Sequence, residues 1–446
     1  MTTFLTTPSA WPSVLLGRAK AIAADPFSLD AAVRAGAFEG LKAAVQHGPT
    51  GTIAEVASSG LRGRGGAGFP AADKWRTAAN TAADQRYVIA NGYGADPATQ
   101  IEGALLAVDP YAVIEGLVIA AFATGATEAI LAVRGEETAL IAKLEGAIAE
   151  AEAAGFAGDD VAGSGHRVSV TVRGVQGSYM LGEETVLIKA LEGKRAAPDQ
   201  RPPHPSERGL FDRPTVVHNV ATLAAVPWIL RSGAAAFAAI GDKDAPGTTL
   251  VQLRGPGGAG IAEVPLGTKL GDIIALAGGA GSRTLKAILV GGPTGGFLPA
   301  DALDTPYTFA ALKAAGAHVG SGSIVIADDR ACIVDLARLL TRFSADQACG
   351  KSIPCRIGLR RLSEIGDRVA AGTPRAGDAQ LAGDLAHDIS ASALCEHERT
   401  ATYAFATVLR YFRSELDDHL LRSTCPAGVC TPIAVAGGAA SRGASA

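Results

Sequence analysis

Gly60-Leu61-Arg62-Gly63-Arg64-Gly65-Gly66-Ala67-Gly68-Phe69-Pro70, followed by Lys74 and Trp75, is the stretch whose reading decides the rest of the chain. Five of its first nine residues are glycine. Glycine tolerates positive φ and lets a ligand approach the main chain. Successive N–H groups can then form an anion-binding hollow, and Arg62, Arg64 and Lys74 place positive charge around it. The stretch reads as a phosphate cradle; a tight glycine-rich surface turn is the plain alternative. Gly63, Gly65 and Gly68 also satisfy the dinucleotide pattern G-x-G-x-x-G, which needs a strand before it. Thr52 to Ala57 reads as helix instead, so that pattern alone carries little weight.

Downstream, Arg86 to Ala90 is a β-branched strand. It ends in the turn Asn91-Gly92-Tyr93-Gly94-Ala95-Asp96-Pro97, the kind of place where α/β sheets receive ligands. Val113 to Gly125 reads as a buried helix, Glu128 to Glu136 as strand then turn, Thr138 to Ala153 as an amphipathic helix and His166 to Arg173 as a strand. Strands separated by helices predict a parallel sheet. Glu183 and Glu184 precede a helix from Val186 to Leu191, where carboxylates complement the helix dipole.

Upstream, residues 1–45 read as a loose leader with Pro8, Pro12 and Pro26, then a short helix from Leu29 to Val45. Farther on, Thr248 to Leu253 is a strand, Val264 to Thr268 a turn, Leu270 to Ala277 a short helix and Leu285 to Val290 a strand. The glycines of Gly291 to Leu298 read as turn chemistry. From Ala331 the pattern turns helical: Asp335 to Leu340, Pro354 to Val369, Gln380 to Ala386 and Ala401 to Leu421 predict a four-helix bundle. The small-residue tail 431–446 is expected to be disordered.

The 446 residues carry a net charge of −4 and only 5% aromatics, so the cores must be built from Ala, Val, Leu and Ile. Length predicts about three domains, and the charge points away from nucleic acid. No apolar run reaches the ~18 residues of a membrane span. Met1-Thr2-Thr3-Phe4 lacks the basic start of a signal peptide. A cytoplasmic location follows, in which the six cysteines are metal ligands or buried thiols rather than a disulfide framework. Cys349, Cys355 and Cys395, in turns between helices, suit an iron–sulfur cluster. Cys332 reads as a core residue and His419 as structural.

The string GLRGRGGAGFP…KW resembles the flavin-binding loop of the NADH-oxidising flavoprotein subunit of respiratory complex I, a unit shared with NAD-linked formate dehydrogenases and hydrogenases. The resemblance runs in unbroken order over roughly residues 45–425. It implies an α/β fold with a Rossmann-like FMN-binding domain (46–240, after the leader and helix 1–45), a small β-grasp domain (241–330), a helical iron–sulfur domain (331–422) and a tail (423–446). It places FMN on Gly63, Arg64, Gly65, Gly66, Ala67, Gly68, Phe69 and Lys74, and adds Asn91, Asp96, Tyr179, Gly182, Glu183, Glu184, Arg201, His218, Asn219 and Thr222 around FMN and NADH. Tyr93, Gly94 and Ala95 stand where family members usually carry acids or small polar residues, and Glu102 matches a later acid. Arg201 and His204 stand for Lys and Phe, and His218 for Asn.

The family motif C-G-x-C-x-P-C-R-x-G, with a distant fourth cysteine, binds one [4Fe–4S] cluster. Here Cys349, Cys355 and Cys395 are kept and the second cysteine is Ser352. Three readings stay open: Ser352 ligates iron, the cluster is [3Fe–4S] or has a water-bound fourth iron, or the cluster is lost. Cys425-Pro426-Ala427-Gly428-Val429-Cys430 is similar to a string that precedes a ferredoxin domain in hydrogenase-type relatives. That pair forms a disulfide, binds a metal with a partner, or has no role.

The implied function is an FMN-dependent oxidoreductase subunit passing electrons between NADH and an iron–sulfur chain, with no side chain acting as acid or base. One alternative keeps FMN and uses a donor or acceptor other than NADH, such as ferredoxin. The other is a scaffold subunit with degenerate redox sites. The family's thioredoxin-like [2Fe–2S] domain is absent from the chain, which implies a separate [2Fe–2S] partner or ferredoxin, no direct membrane insertion, and a place in the cytoplasm or at the periphery of a membrane complex.

Overall fold

The computed structural model describes residues 3–430, so the tail at 431–446 lies outside the described residues. The first region comprises α1 (Leu29–Arg34), α2 (Glu39–Ser58), α3 (Ala71–Asn80), β1 (Tyr87–Asn91), α4 (Ile101–Val108), α5 (Pro110–Thr124), β2 (Glu128–Arg134), α6 (Thr138–Ala153), β3 (Ser169–Val175), α7 (Glu184–Leu191), β4 (Thr215–Asn219), α8 (Val220–Ser232) and α9 (Ala234–Ala238). Its four strands are parallel, in the order β3-β2-β1-β4. Parallel neighbours need crossovers, and the helices between the strands supply them. Every residue of α5 is buried. It lies so close to α8 that a Cβ on Gly116 would stand 2.0 Å from the carbonyl oxygen of Leu223. Among the described residues no single helix is long and apolar enough to cross a membrane; α4 and α5 together are, but they are bent by 97°.

The leader is not loose. Glu263 accepts hydrogen bonds from the Ser13 hydroxyl at 2.6 Å and from the amides of Val14, Leu15 and Leu16 at 2.6, 2.7 and 2.9 Å. Arg18 then clamps Asp109 through two hydrogen bonds of 3.0 and 2.8 Å. A buried carboxylate needs such donors, and the leader provides them. The expected helix from Leu29 to Val45 is two helices. Gly36 and Phe38 take φ of 90° and 65° between them, which buries Phe38 against Phe156 with ring centroids 4.1 Å apart. The second piece, α2, is itself kinked at Gly48, whose φ of 69° and ψ of 171° leave the helix just before Pro49.

The second region contains β5 (Gly241–Asp242), β6 (Ala245–Pro246), β7 (Thr248–Gly255), β8 (Gly258–Pro265), α10 (Leu270–Ala275), β9 (Leu285–Val290), β10 (Gly296–Pro299), α11 (Phe309–Ala315) and β11 (Ser323–Asp328). The main sheet has the order β10-β9-β11-β7-β8, with β11 parallel to β7 and the other pairs antiparallel. Sequence periodicity missed β8 and β11. The first opens on Gly258-Ala259-Gly260, and the second is a short central strand buried on both faces, where no alternation is visible.

The third region is helical: α12 (Ile333–Gln347), α13 (Leu359–Ala370), α14 (Asp378–Ala391), α15 (Glu396–Thr400), α16 (Tyr403–Tyr411) and α17 (Arg413–Arg422). The single helix expected from Ala401 to Leu421 is interrupted at Phe412, whose φ of −120° and ψ of 32° leave the helix. Pro354–Gly358 forms a π-helical turn that leads into α13.

Candidate functional site

A cavity of about 640 Å³ opens at the carboxyl ends of β1 and β4. One wall is the glycine loop: Gly63, Gly65, Gly66, Ala67, Gly68 and Phe69 all line it, with Lys74 from the first turn of α3. The neck of the loop is pinned by the Gly63 amide on the Phe69 carbonyl and the Ala71 amide on the Leu61 carbonyl, both at 2.9 Å. Gly66 and Gly68 take φ of 107° and 62°. A Cβ on Gly66 would meet Gly320 at 3.0 Å, and one on Gly68 the Phe309 ring at 2.7 Å. Close packing against the second region and positive φ therefore call for glycine at both positions, apart from any ligand.

Arg64 is the exception among the loop residues expected to hold FMN. Its amide donates to the Thr222 hydroxyl at 2.8 Å. Its guanidinium turns away from the cavity and donates to the carbonyls of Thr248, Arg62 and Pro246 at 2.8, 2.8 and 2.6 Å. Burial, then the neighbouring Arg62, pushes its pKa down to about 9. It ties the loop to the strand that opens the second region and does not face the cavity.

The other expected residues line the cavity, in defined states. Asn91 accepts from the Tyr93 amide at 3.1 Å and donates to the Leu181 carbonyl at 3.2 Å. Asp96 is buried, bonded to Ser321 and to the Ala98 amide, and its pKa is raised by desolvation. Tyr179 reaches Thr294 at 3.2 Å, and burial lifts its phenol to about 12. Glu183 caps α7 by accepting from the amides of Thr185 and Val186 at 2.9 Å. Arg201 bridges Glu183 and Glu184, and Lys74 pairs with Glu184. His218 accepts the Trp75 indole N–H at 2.8 Å. Burial, then Lys74, lowers its pKa to about 3, so the ring is neutral. Asn219 caps α8 at the Ala221 amide, 2.8 Å, and donates to Glu102 at 3.0 Å. Gly182 and Thr222 complete this wall.

The altered turn divides its work. Gly94 and Ala95 line the cavity, whereas Tyr93 is buried, donates to the Gly177 carbonyl at 2.8 Å and packs under Arg134. Glu102 also reaches the cavity, and its Oε2 is buried without a partner.

Two further walls were not foreseen. Thr294, His318, Gly320 and Ser321 come from the second region, so the Gly291–Leu298 segment is more than turn chemistry. Leu394, Cys395, Glu396, His397, Arg399 and Thr400 come from the third. Burial lowers the pKa of His318 to about 4 and also lowers that of His397. The one sequence signal for the former was the short run His318-Val319-Gly320-Ser321-Gly322.

Cys395 stands at the start of α15 and lines the cavity, while Cys349 precedes the π-helical turn before α13 and Cys355 lies within it. Burial first, then Glu398 and the other two cysteines, pushes the Cys355 thiol up to about 12. Burial, then Glu183 after a backbone hydrogen bond that opposes it, leaves Cys395 at about 11. Ser352 donates its hydroxyl to Glu398 at 2.5 Å.

Residues 56–228 match the Nuo51 FMN-binding domain, and residues 335–419 match the NADH-ubiquinone oxidoreductase-F iron–sulfur binding region. Over 412 residues the chain is 36% identical to the NADP-reducing hydrogenase subunit HndC of Solidesulfovibrio fructosivorans, covering 92% of this chain and 84% of that protein. Over 405 residues it is 36% identical to the F subunit of NADH-quinone oxidoreductase in Streptomyces coelicolor, covering 90% of each. It superposes with a TM-score of 0.81 and 31% identity on a chain of an NAD+-reducing [NiFe]-hydrogenase in the H2-reduced state, covering 94% of this chain and 68% of that one. The chain belongs to the family of NADH-quinone oxidoreductase F subunits.

The site fits the two groups that this family of F subunits carries. The cavity has the volume of a mononucleotide site. Among the residues that line it, Glu102 and His397 each hold one buried polar atom without a partner, Oε2 and Nδ1. In the iron–sulfur region, three thiols gather beside a buried carboxylate. With pKa values raised this far, two of them stay protonated unless a metal displaces the proton.

Proposed function

We propose that the chain is the electron-exchange subunit of a larger oxidoreductase, whose residues would hold FMN and an iron–sulfur cluster for electron transfer between NADH and an iron–sulfur chain. The observation that carries this reading is that Cys395 lines the same cavity as the Gly63–Gly68 loop. Flavin and cluster ligand would then share one wall, and electrons would need no intervening carrier. When bound, FMN supplies the exchange between two-electron hydride and one-electron chemistry.

The chain's own residues would bind, orient and exclude water. Lys74 and the glycine loop would hold the phosphate. Arg201, held by Glu183 and Glu184, would stand toward the dinucleotide, and His318 and His397, both neutral, would offer hydrogen bonds without adding charge. Cys349, Cys355 and Cys395 would ligate the cluster, with Ser352 at its fourth corner. An iron–sulfur partner, a thioredoxin-like [2Fe–2S] protein or a ferredoxin, would take the electrons onward in a complex peripheral to, and not inserted in, a membrane.

The test is anaerobic purification, reconstitution with FMN and iron, and addition of NADH. Bleaching of flavin absorbance, followed by the spectrum of a reduced cluster, supports the reading. A second reading, with ferredoxin in place of NADH, is favoured by one observation: Gly94 and Ala95 bring no carboxylate to the cavity. Bleaching by reduced ferredoxin and not by NADH would select it. Protein that binds neither flavin nor iron would reduce the chain to a scaffold.

A further inference from the structure

A second cluster of ligand atoms lies at the far end of the helical region. The Cys332, Cys425 and Cys430 thiols and one imidazole nitrogen of His419 all lie within 4.8 Å of one another. Cys430 Sγ is 3.6 Å from Cys332 Sγ, and His419 Nε2 is 3.5 Å from each of these sulfurs. A zinc ion bound tetrahedrally at about 2.3 Å to sulfur and about 2.0–2.1 Å to nitrogen holds its ligands roughly 3.5–3.8 Å apart. The spacing is that of a single ion. In a cubane each thiolate binds a different iron, and the sulfurs stand farther apart, so this quartet is not the iron–sulfur site. Cys332, Cys425 and Cys430 also lie outside both residue ranges that match the family.

The surroundings are those of a prepared ligand set. His419 Nδ1 lies 2.8 Å from the Glu415 carbonyl. The proton therefore sits on Nδ1, and Nε2 presents its lone pair to the sulfurs; an outer partner of this kind is usual for a metal-binding histidine. Cys332 occupies the N-cap of α12, where its sulfur accepts the Asp335 amide at 3.4 Å. Cys425 and Cys430 arrive on one short loop, closed by the Gly428 amide on the Cys425 carbonyl at 2.9 Å. Gly428 has a φ of 68° there. Cys332 and His419 are buried and the other two half-buried.

We infer that Cys332, His419, Cys425 and Cys430 form a structural zinc site. Three soft thiolates and an imidazole suit zinc, and four protein ligands leave no open position for substrate. Loading displaces three thiol protons and changes no oxidation state. The site staples the chain after α17 to the start of α12, and it stands independently of the flavin proposal.

Elemental analysis of the purified full-length chain is the test. It should contain about one zinc per chain in addition to cluster iron. Cys430→Ser and His419→Ala should each lower zinc roughly fivefold or more while cluster iron and flavin stay bound. X-ray absorption at the zinc edge of the unaltered protein keeps the test valid should either variant fail to fold: three sulfurs at about 2.3 Å and one nitrogen are expected. Zinc-free protein, a disulfide among these cysteines, iron in this site, or an oxygen-only zinc shell would each overturn the assignment.

Discussion

Ser352 donates its hydroxyl hydrogen to Glu398, a carboxylate that also accepts the Leu394 amide at 2.8 Å and is only 1% exposed. The residue at the position of the missing cysteine is thus already paired with a base able to take its proton. Oxygen is a harder ligand than thiolate and stabilises oxidised iron. Ser352→Cys should therefore raise the cluster's midpoint potential by on the order of 100 mV, and Ser352→Ala should favour a three-iron cluster. Redox titration followed by EPR reads both, and an unchanged potential and iron count in both variants would remove Ser352 from the cluster.

Gly65 and Gly66 are adjacent and should respond differently to alanine. At Gly65 a Cβ would meet only the Asn219 Cβ, at 3.4 Å, an ordinary contact. At Gly66, φ is 107° and the added atom would press on the Gly320 backbone at 3.0–3.2 Å. Gly66→Ala should cost about 2–3 kcal/mol, and Gly65→Ala less than about 1 kcal/mol. Denaturant unfolding of the flavin-free proteins separates the two.

Lys74 offers the cavity a charge that Glu184 now shares. Lys74→Met should weaken FMN binding about 10- to 100-fold, yet leave riboflavin, which lacks the phosphate, almost unaffected. Equal losses for both ligands in a fluorescence titration would place the phosphate elsewhere.

Glu115 lies wholly inside α5, and burial, opposed by Arg18, raises its pKa to about 7 from 4.5. A raised carboxylate pKa means that folding favours the protonated form. This contribution is complete below about pH 4.5 and is lost as pH rises through 7, by on the order of 3 kcal/mol. Glu115→Gln should gain stability over the parent as pH goes from 5 to 8. Melting temperatures across that range check it, and parallel curves would refute it.

The sequence revealed what depends on local pattern. The parallel sheet followed from strands alternating with helices, and the glycine loop from its composition, since backbone freedom is written directly in residue type. Side-chain direction was not legible: Arg64 reads as a phosphate ligand until three carbonyls of its surroundings are seen to claim it. Nor were long-range closures. Thr294, His318 and Ser321 sit in glycine-rich runs that read as turns, and they acquire a role only because β9–β11 set them over the glycine loop. Cys332 read as a core residue and His419 as structural, because the sulfurs that meet them lie up to 98 residues away.

The cavity takes its walls from three regions that leave the ribosome in turn, the glycine loop first and the Cys395 segment last. A nascent chain released only as far as β11 lacks one wall and all three thiols of the adjoining cluster. Flavin can therefore be locked in only after nearly all the polypeptide has been synthesised, which makes cofactor loading a late step in the protein's biogenesis.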